Sequence, residues 1–178
     1  MRKIVALFVA LLGVAGLVAA PSANAAMRMD NVSSTLLRPY RALMDQYRDP
    51  AALGPDWVKV VDLAGISCIG DPAGTGNMGI HYVNPSRLTD GVIIPSQPEA
   101  VVYEPEPNGS LRLVAFEYLV FQSDFGPTPP ELFPGHPFMA TDAGNRFGLP
   151  AYYSQHVWIG KGNPYGNLAM WNPNVRCR

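Results

Sequence analysis

Several things are scarce in this chain, and each scarcity closes a class of function. Only 15% of its residues are charged, and no run of lysine or arginine occurs anywhere along it. Nucleic-acid binding needs a basic stripe to neutralise phosphates, so that class has no electrostatic basis here. No Gly-Lys-Ser or Gly-Lys-Thr follows the glycine-rich GDPAGTGNMG, and a strand rather than a helix is predicted after it. That excludes a phosphate loop of the usual kind and leaves a turn that carries backbone close to a neighbouring element. There is no His-Glu-x-x-His, and Ser154 lacks the elbow of a serine hydrolase. Internal repeats and heptads are absent.

Long apolar runs are equally scarce, with one exception at the start. Arg2 and Lys3 precede 17 uncharged, mostly apolar residues from Ile4 to Ala20, and Pro21-Ser22-Ala23-Asn24-Ala25 follows. A basic start, an apolar centre and small residues before a cleavage point describe a secretory signal peptide over residues 1–25. Seventeen residues barely span a bilayer core of ~30 Å, and no later segment is apolar enough to do so. The expected mature protein is a secreted domain over residues 26–178, periplasmic or extracellular. Loss of Arg2 and Lys3 moves the net charge from −1 to −3.

Cysteine is the next rarity. Cys68 and Cys177 are the only two, both isolated, in a chain expected in an oxidising compartment. Zinc-binding cysteines usually come in close pairs, so a disulfide is the natural reading.

Glycine and proline, by contrast, are plentiful at 17 and 18 residues. From Gly65 onward they punctuate short apolar stretches, which suits an antiparallel or mixed sheet. Strands are predicted over Met78 to Val83, Ala100 to Tyr103, Leu111 to Phe121 and Tyr152 to Ile159, with Asn108-Gly109 as a hairpin turn. Ser123 to Gly148 reads as an ordered surface loop, and NPYGNLAMWNPNVRC as a tail packed by Tyr165, Leu168 and Trp171. Upstream, Leu36, Leu37, Tyr40, Leu43, Met44 and Tyr47 recur at helical spacing, and Pro39 fits only in a first turn. The expected fold is therefore α+β: four or five strands, flat or curled, with an N-terminal amphipathic helix packed on the sheet.

The segments GISCIGDPAGTGNMGIHYVN, PEAVVYEP, LRLVAFEYLVF, NRFGLPAYYSQHVW and NPYGNLAMWNPNVRC together resemble a family of small, uncharacterised secreted proteins, mostly bacterial. The resemblance implies export and a single domain, and it carries no mechanism. Pro134 interrupts an expected Leu-Phe-Gly run in LFPGHPF, so the resemblance assigns His136 no role.

The chemistry must come from the residues. His81, Glu117 and His156 each interrupt apolar or aromatic neighbours in a predicted strand: IHYV, AFEYLV and QHVW. A carboxylate removed from water is costly unless it is paired, protonated or bound to a cation. Two imidazoles and a carboxylate from three strands form a partial shell for zinc, copper or iron. The alternative is a Glu–His hydrogen bond with the second histidine on a backbone carbonyl. A further set, Tyr82, Tyr153, Trp158 and Trp171, suits a small ligand or a cell-envelope component, or else packs the tail. The expectations are thus a secreted metal-binding protein, a non-enzymatic binding module, or a metal-dependent enzyme.

Overall fold

The computed structural model describes residues 31–177; the expected signal peptide lies outside them. Nine strands and three short α-helices follow one another in these residues, with one 3-10 turn (Pro50–Ala52) before β1. They are α1 (Arg38–Ala42), β1 (Val58–Lys59), β2 (Cys68–Gly70), β3 (Asn77–Val83), α2 (Pro85–Leu88), β4 (Ala100–Pro105), β5 (Leu111–Phe121), α3 (Gln122–Phe125), β6 (Glu131–Phe133), β7 (His136–Pro137), β8 (Met139–Thr141) and β9 (Tyr152–Trp158). The main sheet is open, seven-stranded and antiparallel, in the order β1-β3-β4-β5-β9-β8, with β2 also on β3. β1 and β2 share one edge of β3, meeting its C-terminal and N-terminal halves respectively. The turn between β4 and β5 is built as its residues require. Asn108 Oδ1 accepts the Ser110 N–H, and Gly109 takes φ of 85°.

The four predicted strands are all present. The stretch from 123 to 148, expected as loop, is different: it holds the small β6-β7 sheet and the edge strand β8 on β9. These strands are only two or three residues long and include Pro137, so no period of alternation could build up. The N-terminal segment also departs from expectation. Only Arg38–Ala42 is α-helical. Residues on either side form successive turns, with Met44 and Tyr47 N–H groups bonding carbonyls three residues back. Pro39 removes a donor near the start, and three-residue turns end helices early.

That segment nevertheless covers one face of the sheet. Leu37, Tyr40 and Tyr47 join Val101, Tyr103, Phe116, Tyr118, Tyr153 and Val157 in the principal core. Tyr40 meets Tyr118 edge-on at 6.0 Å, Tyr47 meets Phe116 at 5.4 Å, and the Tyr103 hydroxyl donates to the Tyr47 carbonyl at 2.6 Å. Strict alternation along β5 would place Leu113 with Glu117. A bulge opposite Val102 and Tyr103 overrides this, so that Leu113 joins Phe116 and Tyr118 while Val114 sits with Ala115.

The opposite face is divided. Val102, Val114, Ala115, Trp158 and Val175 form one cluster, and Leu88, Ala100, Leu119 and Tyr152 another. The C-terminal tail closes the first. Trp158 Nε1 donates to the Ala169 carbonyl at 2.6 Å, and Asn77 and Asn172 exchange backbone hydrogen bonds. A disulfide joins Cys68 to Cys177 across 109 residues and pins this tail to β2. GDPAGTGNMG is the turn expected from its glycines. A Cβ on Gly76 would meet the Asn172 carbonyl carbon at 2.7 Å, and one on Gly79 would meet the Tyr103 oxygen at 2.5 Å. Gly79 also has φ of 114°, a conformation that side chains disfavour.

Candidate metal centre

His81, Glu117 and His156 lie between the two clusters of that second face. Strand register explains why. Glu117 pairs with His156 across β5 and β9, so both side chains project from the same face. On its other side Glu117 pairs with Ala100 of β4, and His81 of β3 pairs with Val102. β4 therefore separates β3 from β5, and on this face it offers only Ala100 and Val102 near the group. The small Ala100 side chain leaves His81 room to reach across to Glu117. All three are buried, at 5%, 6% and 2% exposure for His81, Glu117 and His156.

The imidazole Nε2 of His81 is 3.3 Å from Glu117 Oε2 and 3.4 Å from His156 Nε2. Nδ1 of His156 is 3.7 Å from Glu117 Oε1. One ligand atom from each residue lies within 4.8 Å of the others. The two rings stand edge to face at 83°, and His156 stacks on Trp158 with the planes 12° apart. Nδ1 of His81 has no partner in hydrogen-bond geometry; the backbone of Gly79 favours its protonated form only in part.

Burial governs the charge of all three groups. It lowers His81 to a pKa of about 4, assisted by Arg146, and it takes His156 well below the usual imidazole range, assisted by His81. It raises Glu117 to about 8, with partial relief from the Ser154 hydroxyl. Without a cation the group is thus neutral at pH 7, with the carboxyl protonated.

A cavity of about 60 Å³ lies over the group. His81, Glu117 and Ser154 line it with apolar residues including Met78, Leu119, Phe147 and Met170. A wider bowl of about 540 Å³ adjoins it through Met78, Phe147, Tyr152 and Met170, and is lined further out by Ile66, Arg146 and Trp171. Arg146 is tied in place by Asp62 at 2.6 Å and by the Gly70 carbonyl at 2.9 Å.

The four aromatic residues read as ligand contacts lie in three places. Tyr82 and Tyr153 are on the opposite face, with Tyr82 edge-on to Tyr103 and Tyr153 in the principal core. Trp158 is buried behind His156, and Trp171 lines the bowl. The features that sequence reasoning did not single out are Ala100, Met78 and Met170; it weighs Ser154 only as a nucleophile, and Ser154 lines the cavity beside Glu117 instead. Small or apolar side chains at such positions have no signature apart from the neighbours that a fold brings to them.

No family model matches the chain, and neither a curated protein nor a solved structure matches it. The geometry must carry the functional reading alone.

Proposed function

We propose that this is a secreted metal-binding protein whose ion is held by His81, Glu117 and His156. One observation carries the reading. Around a tetrahedral cation with bonds of 2.0–2.1 Å to nitrogen and oxygen, neighbouring ligand atoms stand about 3.3–3.4 Å apart. The His81 Nε2 atom stands at 3.3 Å and 3.4 Å from the nearest atoms of its two partners. Good hydrogen bonds between such groups are shorter, at about 2.7–3.2 Å, and 3.7 Å is outside their range. The two separations from His81 thus match a shared cation, and the third, from His156 to Glu117, lies within 4.8 Å. The fourth position faces the apolar cavity, the open side that a ligand or substrate would use. Export agrees with the Cys68–Cys177 disulfide and with the basic, then apolar, start of the sequence. Among the described residues no helix is long and apolar enough to cross a membrane.

Metal analysis of exported, untagged protein tests this directly. The expected result is about one transition-metal ion per chain, retained through dialysis, with loss of that ion in His81→Ala and His156→Ala variants that keep their fold. Wild-type protein that takes up no zinc, copper or iron at micromolar concentration would overturn it.

The bowl favours a second reading, a module for a small apolar ligand in which Trp171 forms one wall. Ligand-dependent quenching of tryptophan fluorescence that disappears in Trp171→Phe, in metal-free protein, would support it. Equal quenching in that variant would remove it.

A further inference from the structure

The methionines of the described chain are unevenly placed. Met44 packs against the principal core, on the far face of the sheet. The other three, Met78, Met139 and Met170, line the cavities that touch His81, Glu117 and His156. Met78 and Met170 wall the small cavity above the group. Met170 also lines a second cavity, of about 220 Å³, that reaches His156 from another side together with Met139 and His136. Both cavities and the outer bowl meet at Met170. All three histidines of the sequence thus line one or other of two cavities that share Met170 and Ser154 as lining residues.

We infer that the ion is copper(I), held by the two imidazoles with Met170 as the soft ligand on the open side, and admitted past His136 and Met139. This rests on the metal-binding reading above and adds the identity and route of the ion. Three physical points support it. Thioethers bind hard divalent cations poorly, whereas thioether with imidazole is a suitable donor set for copper(I). Charge is the second point. A monovalent ion with one carboxylate forms a neutral buried group, whereas a divalent ion would leave an uncompensated charge in an apolar cavity. The third is the absence of other donors: apart from Ser154 and Tyr152, the cavity above the three residues is lined by side chains that cannot ligate, save Met78 and Met170. Methionine also fills irregular gaps in cores. That role does not require it to recur in both cavities that reach the group.

The outer pair differs from the inner set in exposure. Met139 is 48% exposed at the edge strand β8, and His136 is partly exposed on β7. Ions that enter through this second cavity therefore meet His136 and Met139 before the buried His156. This arrangement calls for weak outer capture followed by transfer to the buried set.

The test is an anaerobic titration of the full exported chain with copper(I) buffered by bicinchoninate, beside a zinc(II) titration with a colorimetric chelator. Wild type should bind copper(I) at least a hundredfold more tightly than zinc(II). Met170→Leu keeps the volume and should weaken copper(I) by roughly tenfold to a hundredfold, the range for disturbing a metal's surroundings, while zinc(II) changes by less than about twofold. A paired variant, His136→Ala with Met139→Leu, should keep the equilibrium affinity but take copper(I) from the chelator several-fold more slowly. Thermal melts of each variant establish that it is folded, and sulfur scattering in the copper X-ray absorption spectrum gives a readout on wild type alone. Zinc(II) bound as tightly as copper(I), or copper(I) affinity unmoved in Met170→Leu with no sulfur scattering, would overturn the copper assignment and leave the metal-binding reading standing. Uptake of no metal at all would overturn both.

Discussion

Two buried glutamates, Glu104 and Glu117, sit on neighbouring strands of one sheet and are treated in opposite ways. Glu104, 3% exposed, has cations of the chain around it. Lys161 Nζ donates to both of its oxygens at 2.5 and 2.6 Å, Arg112 donates to Oε2, and the Arg176 N–H donates to Oε1. Burial works against its charge, but Lys161, Arg112 and Arg176 outweigh it and hold its pKa below the ordinary value. Glu117 has two neutral imidazoles, one hydroxyl and an apolar cavity, and burial raises it to about 8. A third buried acid, Glu99, also rises to about 8, through burial, although the Leu119 N–H donates to it at 3.0 Å. The lesson lies in the counter-charge. The fold supplies it at Glu104; at Glu117 and Glu99 it supplies none, and burial holds both carboxyls protonated.

The largest test of this comparison acts on what the two sites share, the C-terminal tail. Arg176 donates to Glu104 next to Cys177, and Met170 walls the cavity at Glu117. Replacing Cys68 and Cys177 by serine releases a loop of 109 residues, which costs roughly 4–5 kcal/mol on the chain-entropy model. Denaturant melts should show that loss together with weakened metal retention. An unchanged midpoint would separate the tail from both sites.

Next comes Glu104→Gln, which strands Lys161 and Arg112 beside a neutral amide. Losing one member of a buried ion pair costs about 3–5 kcal/mol, reduced here to about 2–3 because Arg112 is half exposed. The same melts measure it, and a loss under about half a kcal/mol would show that solvent, not Glu104, carries these cations.

The pH dependence of metal-free protein is expected to be smaller. Glu99 and Glu117, raised to about 8 in the fold, hold protons that the unfolded chain has released. The stability they contribute is therefore present at low pH and lost as pH rises toward 8. His81, lowered to about 4, and His156 act in the other direction, adding stability as pH rises to the unfolded histidine value near 6.5. The two effects offset below that point. Between pH 6.5 and 8 the two carboxyls outweigh the last of the unfolded histidines' titration, so stability should fall by about 2–3 kcal/mol, several degrees in Tm. Bound metal keeps Glu117 ionised, so it should flatten this slope, and binding at pH 7 should release about one proton, measurable by calorimetry in buffers of different ionisation enthalpy. A metal-free Tm that rises over that interval would contradict the charge states assigned to Glu99 and Glu117.

Glu117→Gln should have the smallest effect on stability and so sharpen the contrast most. Glu117 is already protonated at pH 7 in metal-free protein, so the amide should change stability by less than about 1 kcal/mol while metal retention is lost. A cost matching that of Glu104→Gln would mean that Glu117 is ionised without a metal.

Much of this was legible before any fold was known. Local sequence determined the four main strands, because Leu111 to Phe121 and Tyr152 to Trp158 alternate or run apolar over enough residues to register a period. It also determined the Asn108-Gly109 turn and, through rarity, the Cys68–Cys177 pairing. His81, Glu117 and His156 stood out one by one, since a polar side chain in an apolar strand is visible without neighbours. The tertiary structure alone decided the rest. The short strands from 131 to 141 exist only because β9 and each other supply their partners, and the N-terminal turns replace a long helix where Pro39 and the packing of Leu37, Tyr40 and Tyr47 outweigh helical period. Whether three marked residues meet depends on register across strands distant in the chain and on the width that Ala100 leaves on β4. Distances between such residues are properties of pairing, and pairing has no local signature in the chain.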